Sequence, residues 1–97
     1  MTYADSTERT ALISGLRTLA DYLESTPEIP VSSGTKVYAL PPKTDVAEMR
    51  ADIDAIAARL GVTACESSYR RHYVASRWFE AVEYIAVAIP RNDDESE

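Results

Sequence analysis

Leu12, Leu16, Leu19, Ala20 and Leu23 recur at spacings of three and four, the apolar stripe of a helix. Ile13 widens the stripe. Asp5 followed by Glu8 has the spacing of a capping box at its start. Thr26-Pro27 ends it, because proline disfavours helix in the residue before it. The pattern predicts a first helix over residues 6–25. Gly15 falls mid-helix at a cost of about 1 kcal/mol against alanine and leaves room for a close backbone approach. Residues 27–34 hold two prolines and a glycine and read as a loop, with Ile29 and Val31 as residues that would pin it to the core. Lys36 to Leu40 predicts a short strand stopped by Pro41-Pro42. Val46, Met49, Ile53, Ile56, Ala57 and Leu60 then follow the helical period and predict a second helix over 45–60. Thr44 or Asp45 caps it, Asp45 standing at the capping-box spacing from Glu48, and Gly61 is its left-handed exit.

After Gly61 the period shortens. Val62 to Cys65 reads as a strand and Glu66-Ser67-Ser68 as a turn. Tyr69 to Trp78 alternates, with Tyr69, Arg71, Tyr73, Ala75 and Arg77 opposed to Arg70, His72, Val74, Ser76 and Trp78. Phe79-Glu80-Ala81 is a short connection. Val82 to Ile89 is apolar on both faces, which suits a central strand, and Pro90 ends it. The predicted order is helix, strand, helix, strand, strand, strand. We expect one α+β domain over 1–90: two helices on one face of a three- or four-stranded, mostly antiparallel sheet. The first strand, second helix and second strand would form a right-handed crossover, and the last three strands a meander. Residues 91–97 are expected to be an acidic, disordered tail.

Length and composition fit this picture. A chain of 97 residues buries roughly 64% of its unfolded surface, enough for a modest core. The composition, 45% hydrophobic and 27% charged, excludes collagen-like, coiled-coil and mostly disordered chains. Sixteen acids against ten bases give a net charge of −6, which disfavours non-specific attraction to nucleic acid or anionic lipid. Asp93, Asp94, Glu95 and Glu97 supply much of this acidity. The start of the chain lacks the basic and apolar pattern of a signal peptide, and no apolar stretch reaches membrane-spanning length. Together with a single cysteine, this leads us to expect a cytoplasmic protein without membrane association.

Candidate chemistry is sparse. Cys65 and His72, the only residues of their types, have no recognised metal-ligand spacing and read as a packed small residue and a sheet-surface histidine. As a nucleophile pair they would need an orienting third group and a pocket. The scattered glycines make no phosphate cradle. No metal, cofactor or catalytic residue is expected. Glu48, Asp52 and Asp54 of the second helix read as a solvated face, or with the tail as an acidic mimic of nucleic acid. The unusual segment is Tyr69-Arg70-Arg71-His72-Tyr73 followed by Arg77-Trp78-Phe79. It gathers three of the ten bases with the only His, Trp and Phe. Tyr69, Arg70, Arg71, His72, Arg77 and Trp78 are the candidate interaction patch, because tyrosine, tryptophan and arginine dominate protein interfaces. The same set suits single-stranded nucleic acid by stacking and phosphate pairing. The packing alternative places Tyr73 and Phe79 inside, with the arginines paired to Glu80 and Glu83.

Several segments resemble a group of small uncharacterised proteins of actinobacteria and their phages. These are Leu16 to Leu23, the loop Glu24-Ser25-Thr26-Pro27-Glu28-Ile29-Pro30-Val31, His72 to Arg77, and Val82-Glu83-Tyr84. The resemblance spans about residues 12–90. It departs at Glu80, where that group often has glycine. The group has no assigned activity, so the resemblance implies a bacterial or phage setting and no catalytic residue. The combined expectation is a non-enzymatic module that binds a host or phage protein, or a second copy of itself. Single-strand nucleic-acid binding and acidic mimicry are the alternatives.

Overall fold

A computed structural model describes residues 3–67 and 71–89. Tyr69 and Arg70, the turn residue Ser68, Pro90 and the 91–97 tail lie outside the described residues. The elements come in the expected order: α1 (Ser6–Ser25), β1 (Thr35–Ala39), α2 (Val46–Leu60), β2 (Cys65–Glu66), β3 (Tyr73–Phe79) and β4 (Val82–Ala88). Ala4–Ser33 forms one compact unit, and Tyr3 with the described residues from Gly34 onward forms another.

In the first unit, Asp5 caps α1 reciprocally. Its carboxylate accepts the Glu8 amide at 2.8 Å, and the Glu8 carboxylate accepts the Asp5 amide at 3.0 Å. No residue of α1 is buried. Leu12, Leu16 and Leu19 stand 52, 46 and 52% exposed, and Leu23 is half-buried. Ile29 and Val31, expected to pin the following loop, are exposed as well.

The second unit holds the core. The four strands form a mixed sheet in the order β1-β4-β3-β2. β2, β3 and β4 make the expected antiparallel meander. β1 joins parallel to β4, Val37 beside Tyr84, so the sheet is mixed, in part at odds with the expected mostly antiparallel one. β4 is apolar on both faces and needs a neighbour on each side, and the meander supplies only β3. The segment β1-α2-β2 therefore links opposite edges of the sheet. The core is built with one helix: Met49, Ile53 and Ala57 of α2 close onto Ala75, Ala86 and Ala88. Within its own unit α1 buries no residue.

The boundary differences have local causes. Gly61 leaves α2 at φ 75°, donating to the carbonyls of Ala57 and Ala58. The Val62 amide also donates to the Ala57 carbonyl at 3.0 Å, completing a Schellman cap. That amide is then committed to the helix end, so β2 starts only at Cys65 instead of Val62. Arg71 has φ 59°, outside extended geometry, and β3 starts after it at Tyr73, while the expected strand residues 69 and 70 lie outside the described residues. Phe79 pairs with Val82, so the hairpin turn is just Glu80-Ala81. Glu80 adopts φ 58° there, at a position where glycine is unstrained.

Candidate interaction surface

Pleating sorts the sheet side chains onto two faces. Tyr73, Ala75, Tyr84, Ala86 and Ala88 turn toward α2. Lys36, Tyr38, Val74, Ser76, Trp78, Glu83, Ile85 and Val87 fall on the other face by register. α2 is the one helix of this unit and lies on the first face.

On the second face the top row runs Lys36, Glu83, Trp78 across β1, β4 and β3. The Lys36 ammonium meets the Glu83 carboxylate at 3.3 Å and stands 5.7 Å from the centre of the Trp78 ring. The next row is Tyr38, Ile85, Ser76. Trp78 and Tyr38 are 56 and 58% exposed, Ile85 between them is half-buried, and Val87 below is buried. Two large rings thus flank an aliphatic floor beside a mutually neutralised ion pair.

The sequence-derived patch is divided by this alternation. Trp78 belongs to the second face. Arg77 belongs to the first, where its guanidinium donates to the Leu60 carbonyl at 3.2 Å and stands 5.1 Å from the Phe79 ring. A cation there satisfies the C-terminal end of α2. Arg71 is exposed at the turn. His72 is half-buried, and its carbonyl accepts the Ser67 amide at 2.6 Å to close the β2–β3 connection. The packing alternative holds in part, since Tyr73 packs against the core. Phe79 is 49% exposed, and the partner of Glu83 is Lys36, not an arginine. Cys65 is exposed, not packed. Sequence reading missed Lys36, Tyr38, Glu83 and Ile85. The alternation of Lys36 and Tyr38 was readable, but only the parallel β1–β4 pairing brings them beside Trp78.

Two of the three acids of α2, Asp52 and Asp54, are pairing groups. Asp52 accepts from Lys43 at 2.9 Å and from the Tyr3 hydroxyl at 3.4 Å. Partial burial, then the Asp52 charge and hydrogen bond, push the Tyr3 phenol up to about 12. The Tyr73 hydroxyl donates to Asp54 at 2.5 Å, and this hydrogen bond is the first cause of its raised pKa. Arg50 stands 4.5 Å from the Tyr73 ring centre and pairs with Glu66 at 3.1 Å. Among the described residues, no cluster of three His, Cys, Asp or Glu side chains is placed to hold a metal ion. No helix among them is long and apolar enough to cross a membrane. Shallow depressions on α1, lined by Thr10, Ile13, Ser14 and Arg17 among others, are bounded by a single helix and enclose nothing. Comparisons with known protein families, with curated proteins and with solved structures find no match.

Proposed function

We propose that this protein is a small non-enzymatic protein-binding module whose working surface is the sheet face of Tyr38, Ile85 and Trp78. The observation that carries the reading is the pair of half-exposed rings flanking Ile85 on the face opposite α2. Exposed tryptophan and tyrosine over an apolar floor are the composition of an interface hot spot. The Lys36–Glu83 pair leaves the patch without net charge, which fits an aliphatic ridge of a partner protein laid between the rings. A phosphate backbone would need free cations here. The one base beside Trp78 is paired with Glu83, and Arg77 serves the other face, which weighs against single-stranded nucleic acid. Pairing of Asp52 and Asp54 weighs likewise against acidic mimicry. A cytoplasmic setting rests on the single cysteine and the sequence pattern, and a host or phage partner on the sequence resemblance.

The test is quantitative capture from nuclease-treated bacterial lysate by wild type, by a Tyr38→Ala, Trp78→Ala double variant, and by Arg59→Ala as a surface control. Hot-spot loss of about 2 kcal/mol or more lowers retention of a stoichiometric partner at least about tenfold in the double variant. Arg59→Ala should match wild type. Equal retention by the double variant would refute the reading. Capture that nuclease abolishes would replace it with the nucleic-acid one.

A further inference from the structure

The exposed stripe of α1 has more order than amphipathicity requires. Leu12, Leu16, Leu19 and Leu23 are spaced four, three and four, which is d, a, d, a over two heptads. The far side of the helix carries Thr7, Thr10, Ser14, Arg17, Thr18, Asp21 and Glu24. A helix of 20 residues with no buried side chain is marginal alone in water, so the seam calls for a partner surface. Gly15 sharpens the point. A Cβ built there meets no atom of the described residues within 4 Å, so the place is open within this unit.

We infer that α1 is a self-association helix that pairs antiparallel with α1 of a second copy, about a two-fold axis between Arg17 and Thr18. This register puts Leu16 against Leu19 and Leu12 against Leu23, so every seam layer is leucine on leucine. In an antiparallel pair, g positions face g positions and e positions face e positions. One flank then sets Gly15 opposite Tyr22 of the second copy, and the other sets Ile13 opposite Ala20. On both flanks a small residue meets a large one, and the 51% exposed Tyr22 ring gains the space that Gly15 leaves. The ends are complementary in charge. Arg9, the a position three residues before Leu12, comes over the last turn of the other helix, which holds Glu24 and no base of its own. A cation there also meets the negative end of the helix dipole. The interface is isologous, so each contact occurs twice and the assembly closes at two. It uses none of the sheet-face residues and stands independently of the reading above.

Two heptads make a weak dimer, so concentration is the variable. Sedimentation equilibrium of the full chain from about 5 to 500 µM should show mass rising from monomer to dimer, and no further. Leu16→Glu with Leu19→Glu should leave a monomer throughout the range, with an unchanged urea midpoint for the sheet unit. Orientation is read by disulfide trapping in a Cys65→Ser background. Positions 15 and 22 lie roughly 10 Å apart on one helix, too far to bridge within a chain. Gly15→Cys with Tyr22→Cys should therefore give covalent dimer, and Gly15→Cys with Ala20→Cys, the parallel g-to-e pairing, should give several-fold less. A monomer at every concentration would overturn the proposal, as would a dimer that survives the double glutamate variant or preferential trapping of 15 with 20. A dimer lost in the Tyr38→Ala, Trp78→Ala variant instead would assign self-association to the sheet face and overturn it too. Partner capture that persists in the monomeric glutamate variant would separate the two surfaces.

Discussion

The two helices begin alike and end in opposite situations. Each starts at an aspartate whose carboxylate accepts the amide of a glutamate three residues on, at 2.8 Å in α1 and 3.0 Å in α2. Each carries apolar residues at helical spacing. Yet α1 buries nothing over 20 residues, while α2 buries Met49, Ile53 and Ala57 in 15. Caps and periodicity therefore specify that a helix forms and which stripe it offers. They do not specify what covers the stripe. For α2 the answer lies in alanines on other elements: Ala75, Ala86 and Ala88 leave the sheet flat enough for Ile53 to seat fully. For α1 the complementary set is found in its own sequence, in the alternation of leucines with Gly15 and Ala20.

The sharpest way to break this contrast is truncation of one branched residue in each stripe. Ile53 is fully buried, so Ile53→Ala leaves a cavity and should cost about 2–5 kcal/mol. Leu16 is 46% exposed, so Leu16→Ala should move the stability of dilute protein by no more than about 0.5 kcal/mol. Urea midpoints at micromolar concentration decide it. Comparable losses would mean that the α1 stripe is covered even in the monomer.

Two glycines extend the comparison with opposite signs. A Cβ on Gly34 would lie 2.8 Å from the Ala81 carbonyl oxygen, where the Thr35 amide also bonds at 3.1 Å. Backbone must shift to admit it, so Gly34→Ala should destabilise by about 1–3 kcal/mol, read from the urea midpoint. Gly15 meets nothing, so Gly15→Ala should strengthen α1 by about 1 kcal/mol, read as slower amide hydrogen exchange along residues 6–25 in dilute protein. At high concentration the added methyl crowds the space assigned to Tyr22 and should weaken the dimer. Faster exchange in the dilute variant would show that Gly15 is already closely approached.

What the sequence disclosed follows the range of the physics. Helix ends were legible because their signals are local: Asp5 with Glu8, Asp45 with Glu48, and Gly61. The central position of β4 was legible because residues apolar on both faces must be covered twice. The parallel seat of β1 was not, since its residues meet β4 across more than 40 positions of chain. Strand starts were missed where backbone bonding overrides composition, as at Val62, whose amide the α2 cap consumes, and at Arg71, whose positive φ interrupts pairing. Trp78 was identifiable as part of a surface, but its companions were not. Lys36, Tyr38 and Ile85 join it only through the β1–β4 register. Of the grouped arginines, Arg71 stands exposed at the turn and Arg77 went to the carbonyl end of α2.

The smallest effect separates the two units by their response to alkali. The two phenols with raised pKa, Tyr3 and Tyr73, both bond to acids of α2, and both belong to the unit with the core. Tyr3 rises from 10 to about 12 through partial burial first and then Asp52, and Tyr73 rises first through its hydrogen bond to Asp54. The native state thus holds these protons more tightly than the unfolded chain. Their contribution to stability is complete below pH 10, where both states are protonated, and is lost as pH climbs through the window toward 12. Solvent reaches both groups, so the loss is modest. Urea midpoints at pH 8, 10 and 11 should fall for wild type, and Tyr3→Phe should flatten the upper part of that fall while lowering the pH 8 value slightly through the lost bond to Asp52. Lysine deprotonation is common to both proteins and cancels in the comparison. Parallel profiles would mean that the Tyr3 hydroxyl is free of Asp52 in solution, and that this end of α2 is held by Lys43 alone.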